Sequence, residues 1–223
     1  MSYADFYSSF LQHPLLLWLA AIVGLAIALS RPRVSRDVRR FAVAVSVLSI
    51  LDAWLSANHV LGIGRLSGPI ATLLPLAFVL IGDFRFFLFV ELAQPEGTLL
   101  VTRTGLLKAV LWTLLVPAVA QLLTDLSGSE NPRVLFLIYE ALFVALLMGF
   151  FRYYLPTSTK AHRWVRRVTG FVLLYYGLWA AADAIILATR ADTGFLLRVV
   201  PNVFYYGGLA PLVVWTAPQT DPT

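Results

Sequence analysis

Apolar residues in this chain do not alternate with polar ones in the two-residue period of a half-buried strand; they run on in long blocks. Seven predominantly apolar stretches lie at 14–30, 41–62, 69–93, 105–124, 134–155, 168–189 and 196–216. Each has about the 20 residues that cross a hydrocarbon core of roughly 30 Å at about 1.5 Å per residue. The pattern predicts an all-α polytopic membrane protein of seven transmembrane helices, forming a single transmembrane domain over residues 1–223. The connections between blocks are short, so the expectation is that whatever the chain does happens within or at the bilayer.

Composition sharpens the picture. Apolar residues make up 59% of the chain, charged residues 13%, and the mean hydropathy is +0.79, far outside the balance of a soluble domain. Where the few charges fall predicts orientation. One set of alternate connections holds Arg31, Arg33, Arg36, Arg39, Arg40, Arg103, Lys108, Arg152, Lys160, Arg163, Arg166 and Arg167; the other holds Arg65, Arg133, Arg190 and Arg198. Twelve positive residues against four place the N-terminus outside and the C-terminus in the cytoplasm of a bacterial-type inner or plasma membrane. The net charge of +5 thereby finds its partner in anionic membrane lipid, and nucleic acid is not an expected ligand. The N-terminal "MSYADFYSSFLQH" lacks a basic region, so the first apolar block reads as a retained helix and not as a cleaved signal. Without cysteine, disulfide, thiolate and iron–sulfur chemistry are excluded.

Two parts of the chain begin alike. "RRFAVAVSVLSILDAW" from Arg39 and "RRVTGFVLLYYGLWAAAD" from Arg166 each launch an apolar block from an arginine pair, and Pro75 and Pro201 follow at nearly equal spacing. This suggests parallel repeats over 14–93 and 134–216 joined by a linker helix at 105–124, a 3+1+3 arrangement. In architecture it is similar to the SWEET and PQ-loop sugar and amino-acid carriers; the likeness covers topology, and their paired motifs do not occur in this chain. Microbial rhodopsins also run N-out through seven helices, but here the last segment has no lysine to carry retinal, since the only lysines are Lys108 and Lys160.

Ionisable residues inside the blocks carry the candidate chemistry. An ionised side chain at the bilayer centre costs at least about 2.5–3.5 kcal/mol on insertion scales, so Asp52, Asp83, Arg85, Glu140 and Asp183 are expected to face the bundle interior as a proton or cation pathway. Helical spacing groups further polar residues with them: Asp52, Ser56 and His59 share one stripe, Tyr176, Trp179 and Asp183 another, and Asn202 and Tyr206 a third. Ser56, His59, Tyr176, Trp179, Asn202 and Tyr206 are the candidate contacts for a small solute. Asp83 and Arg85, in "LIGDFRFFLFVE", are two residues apart and face different ways on a helix, so each is expected to find its partner elsewhere: Arg85 either reaches an acid on another helix, with Asp52 the best candidate, or snorkels towards cytoplasmic head groups with Glu91 nearby. Counting residues from the block ends puts Glu140 and Asp183 in the outer half, Asp52 near the middle and Asp83 in the cytoplasmic half.

Three function classes follow. The first is a membrane transporter of a small solute, protons or cations, working without a cofactor or metal and open to homo-oligomerisation. The second is an intramembrane enzyme acting on lipid. Gly82-Asp83 resembles a dipeptide of lysoplasmalogenase-type membrane hydrolases, but no Gly-x-Ser-x-Gly, His-Glu-x-x-His, aspartate-rich or glycine-rich phosphate motif is present. The third is a seven-helix sensor or assembly protein without a retinal lysine. The intramembrane carboxylates favour the first.

Overall fold

Proline, serine, asparagine and glycine set where the helices begin and end. The computed structural model describes residues 9, 14–31, 33–55, 69–129, 131–154, 160–189 and 193–219. Its helices are α1 Pro14–Leu29, α2 Arg36–Leu55, α3 Pro69–Leu92, α4 Arg103–Ser127, α5 Pro132–Gly149, α6 Lys160–Thr189, α7 Thr193–Leu197, α8 Val199–Gly207 and α9 Leu209–Thr216. Thr102 caps α4 by accepting the Gly105 amide at 3.0 Å, and Gly128 closes it in the left-handed region at φ 64°. Asn131 accepts the Arg133 amide at 3.0 Å, and Pro132 occupies the first turn of α5, where its missing N–H costs nothing. A π-helical turn, Phe150–Tyr154, ends α5, and Arg166 donates to the Phe151 carbonyl there at 2.6 Å.

The described residues are all-helical apart from one isolated bridge, Ala93 to Leu99, closed by a Pro-Glu-Gly turn with Gly97 at φ 81°. Three helical stretches, Arg103–Ser127, Arg133–Tyr153 and Arg163–Thr189, are long and apolar enough to cross a membrane. They become four if Gly194–Gly207 and Leu209–Thr216, bent by 55°, form one span. Of the seven crossings that the hydrophobic pattern predicts, length and composition thus support three or four among the described residues. The reasons are local. With 16 residues, α1 is about 24 Å long, short of a bilayer core. On α2 ionisable residues recur along the length: Arg36, Asp37, Arg39, Arg40 and Asp52.

Surface chemistry is inverted relative to a soluble bundle. On α4 the buried stripe is small or β-branched (Gly105, Ala109, Thr113, Val116, Ala120, Thr124), while Leu107, Leu111, Leu114, Leu122 and Leu126 point outward. Water would penalise that arrangement; acyl chains do not, and small inward residues let neighbouring backbones approach.

Each long helix packs on its neighbours in sequence, and α8 and α9 return to α1 and α2, closing the bundle. Between α8 and α9 the break has a cause: the Pro211 ring excludes the carbonyl four residues back, that of Gly207, and Pro211 has no N–H to offer it. At the closure, α1 and α8 touch backbone to backbone. A Cβ added at Gly24 would fall on the Gly207 carbonyl oxygen, and one added at Gly207 would lie 2.5 Å from the Ala20 carbonyl oxygen. Gly207→Ala is therefore expected to destabilise the bundle by about 1–3 kcal/mol through overpacking. Gly149→Ala, where a Cβ meets nothing within 4 Å, should be neutral or stabilising by up to about 1 kcal/mol. Thermal unfolding in detergent, followed by far-UV circular dichroism, compares the two.

Candidate functional site

Polar side chains inside the bundle gather in two clusters. The inner one forms around α3. Asp83, 2% exposed, accepts the hydroxyls of Tyr139 from α5 on Oδ2 and of Tyr176 from α6 on Oδ1. Arg85, 3% exposed, turns the other way: Nη1 donates to Ser49 Oγ on α2, and Nε donates to the Gly82 carbonyl at 3.3 Å. Its guanidinium carbon lies 4.6 Å from the centre of the Tyr205 ring on α8, a cation–π contact. Asp52, one turn beyond Ser49, is buried within electrostatic reach of Arg85. Gly82 makes the crossing possible, because a Cβ there would collide with the Tyr205 hydroxyl.

Aromatic rings seal this cluster. Phe143 stacks on Tyr176 with centroids 3.9 Å apart and planes 12° from parallel. Tyr175, Trp179, Tyr205 and Tyr206 continue the packing edge to face or tilted, at 5.0–6.1 Å. Phe86, Phe87 and Phe89 from "FRFF" and "FLF" are wholly buried, joining α3 to α5 through Phe143 and to α6 through Trp164. One polar step crosses the seam: Trp179 Nε1 donates to Asn202 Oδ1 at 2.8 Å, tying α6 to α8.

Beyond Trp179 and Asn202 lies the outer cluster. Asp183, with no exposed surface, accepts from Arg133 Nη1 at 2.8 Å and from Arg198 Nη1; the latter also lies 3.4 Å from Glu140 Oε1. The four residues come from α5, α6 and the turn between α7 and α8. Arg133 additionally covers the Phe195 ring at 4.6 Å. Two guanidiniums face two carboxylates, and the second oxygens, Glu140 Oε2 and Asp183 Oδ2, are buried without a hydrogen-bond partner among the described residues. Seven residues, about 10 Å of helix, separate Tyr176 from Asp183 along α6. Towards the basic end of the bundle, Glu91 accepts from Trp112 Nε1 at 3.0 Å and lies 3.9 Å from Lys108 Nζ.

All five candidate pathway residues are buried: Asp83, Arg85 and Asp52 belong to the inner cluster, Glu140 and Asp183 to the outer. Of the candidate solute contacts, Tyr176 and the Trp179–Asn202 pair lie in or between the clusters, and Tyr206 is half-buried beside Tyr205. Ser56 and His59 lie outside the described residues. Tyr139, the residue before Glu140, reaches Asp83 with its hydroxyl and so links the helix of Glu140 to the inner cluster.

Ser49, Tyr139, Tyr205, Arg133 and Arg198 complete the clusters and were not singled out as candidate site residues from sequence. Two signals were present. Ser46, Ser49 and Asp52 recur every three residues along the otherwise apolar stretch Phe41–Leu55. Arg133 and Arg198 stand in the arginine-poor set of connections, where charge bias disfavours them and a paired role explains them.

Among the described residues no three His, Cys, Asp or Glu side chains come together as a metal site. Neither a family model, nor a curated protein, nor a solved structure matches the chain, so its chemistry is read from these side chains alone.

Proposed function

We propose that this protein carries protons or small cations across a plasma membrane, with Asp83 as the central exchanging group and the outer cluster as the entry. The observation that supports the reading is the setting of Asp83: a fully enclosed carboxyl whose hydrogen-bond donors are two neutral hydroxyls on two other helices, while Arg85 is engaged by Ser49, Gly82 and Tyr205. Intramembrane acids held by neutral donors are the elements of proton relays, since a hydroxyl passes one proton on while taking up another.

In this reading the chain crosses the membrane seven times, N-terminus outside, with α7, α8 and α9 together forming the last crossing. A proton or cation arriving at Glu140 loosens its hold on Arg198, which then pairs with Asp183 alone. Trp179 and Asn202 stand between the clusters, where a small polar solute would meet an indole N–H and a carboxamide. Tyr176 and Tyr139 deliver to Asp83, and Arg85 with Asp52 balances the charge on the inner side.

Proteoliposomes enclosing a pH-sensitive dye test this under an imposed potassium diffusion potential, with sodium and potassium gradients as a second arm. The expected result is dye acidification or cation uptake above that of protein-free vesicles, reduced several-fold in Asp52→Asn. Wild-type vesicles no more permeable than empty ones in either arm would defeat the reading.

A further inference from the structure

The outward face of α2 is organised differently from its inward face. Inward it presents Ser46, Ser49 and Asp52, all buried. Outward, Arg36 and Arg40 are followed on the same side by Ala44, Val47 and Leu51, spaced at four, four, three and four residues and all exposed. From Arg40 to Leu51 this apolar track runs about 16 Å along the helix, roughly half a hydrocarbon core. At its head is a shallow groove of about 410 Å3 lined by Arg36, Arg39, Arg40, Val43 and Ala44. Asp37 stands at its edge, 3.8 Å from Arg40, whose side chain is 80% exposed.

A second feature fixes the level of this groove in the bilayer. Trp215 is half exposed, donates its indole N–H to the Ile27 carbonyl at 3.2 Å and carries Arg31 over its ring at 5.7 Å. The carbonyl of that same Arg31 accepts from Arg39 Nη2 at 3.2 Å. An exposed tryptophan paired with arginine marks the boundary between head groups and acyl chains.

We infer that the groove on α2 is a binding site for one anionic phospholipid, its phosphate taken by Arg36, Arg39 and Arg40 and one acyl chain laid along Ala44, Val47 and Leu51. Guanidiniums suit the phosphate because they offer several N–H donors in a fixed plane. The apolar track directly below suits a lipid and gives free phosphate no added contact. The site is separate from the two buried clusters, so it stands whether or not the protein conducts protons.

Native mass spectrometry of the full chain in detergent tests this, with dioleoyl phosphatidylglycerol and dioleoyl phosphatidylcholine as probes at equal concentration. The wild type is expected to retain one phosphatidylglycerol per chain in preference to phosphatidylcholine. Arg36→Gln/Arg39→Gln/Arg40→Gln should bind phosphatidylglycerol about a hundredfold more weakly, the scale expected for three arginine charges near the membrane surface. Arg163→Gln/Arg167→Gln, which removes exposed charge from α6, should leave that binding unchanged, and matching circular dichroism spectra establish that the variants are folded. A Val47→Asp variant with intact arginines should retain both lipids more weakly, since both carry the same acyl chains, which a fold defect at the arginines cannot imitate. Equal retention of the two lipids by the wild type, equal loss in the α6 variant, or displacement of the lipid by millimolar inorganic phosphate would overturn the proposal.

Discussion

Asp83→Asn is expected to bring proton or cation flux down to the level of protein-free vesicles while leaving the helical content of the purified protein unchanged. Asparagine keeps the size of the side chain and one carbonyl oxygen, so one of the two tyrosine hydroxyls retains an acceptor while the other must rotate to a new one. What asparagine lacks is the capacity to bind and release a proton. Tyr176→Phe should be milder, since Asp83 still accepts from Tyr139; a hydrogen bond to a charged group contributes roughly 1.5–3 kcal/mol, about a tenfold or larger loss of flux. Dye-quench rates in reconstituted vesicles order the three proteins. Flux in Asp83→Asn equal to that of the wild type would leave Asp83 as a structural hydrogen-bonding group and remove it from the pathway.

Asp83 also shows what the sequence could and could not disclose. A charged residue inside an apolar block is visible in one dimension, and the energetic penalty for exposing it to lipid predicts that it turns inward. Its two-residue spacing from Arg85 likewise predicts separate partners, because a helix turns about 200° between such positions. Which partners cannot be read in the same way. Tyr139 and Tyr176 lie 56 and 93 residues from Asp83, on helices whose tilt and rotation are set by packing of Phe143 and Phe87 and not by any local signal.

The helical character of the chain was legible because hydrophobic runs of this length have few alternatives. The number of crossings was less so. Hydropathy averages over a window, whereas α2 opens on Arg36, Asp37, Arg39 and Arg40 and buries Asp52 further along, and α8 and α9 break at Gly207 and Gly208 before Pro211. The outer cluster was half legible. Asp183 and Glu140 stand out as acids in apolar surroundings; Arg133 and Arg198 stand out only as arginines in the arginine-poor connections, and their contacts are what name their partners.

That pairing sets the second large effect, on stability. Asp183 receives both guanidiniums, so Asp183→Leu leaves Arg133 and Arg198 with Glu140 as the remaining carboxylate of the cluster, an excess of one positive charge in a buried site. Removing one partner from a buried ionic network costs about 3–5 kcal/mol, because the charge left behind has lost both water and counter-ion. Asp183→Leu is therefore expected to unfold in detergent at a markedly lower temperature than the wild type. Adding Arg133→Met should recover a large part of the loss, since the cluster then returns to one arginine and one glutamate, Arg198 with Glu140, and methionine fills the volume beside Phe195. The residues are in contact, so the two changes must not add; a coupling of about 1–3 kcal/mol is the expected signature. Thermal denaturation of the wild type, both single variants and the double variant measures it. If the double variant were less stable than Asp183→Leu alone, charge balance would not be what holds α5, α6 and the α7–α8 turn together, and shape would have to take its place.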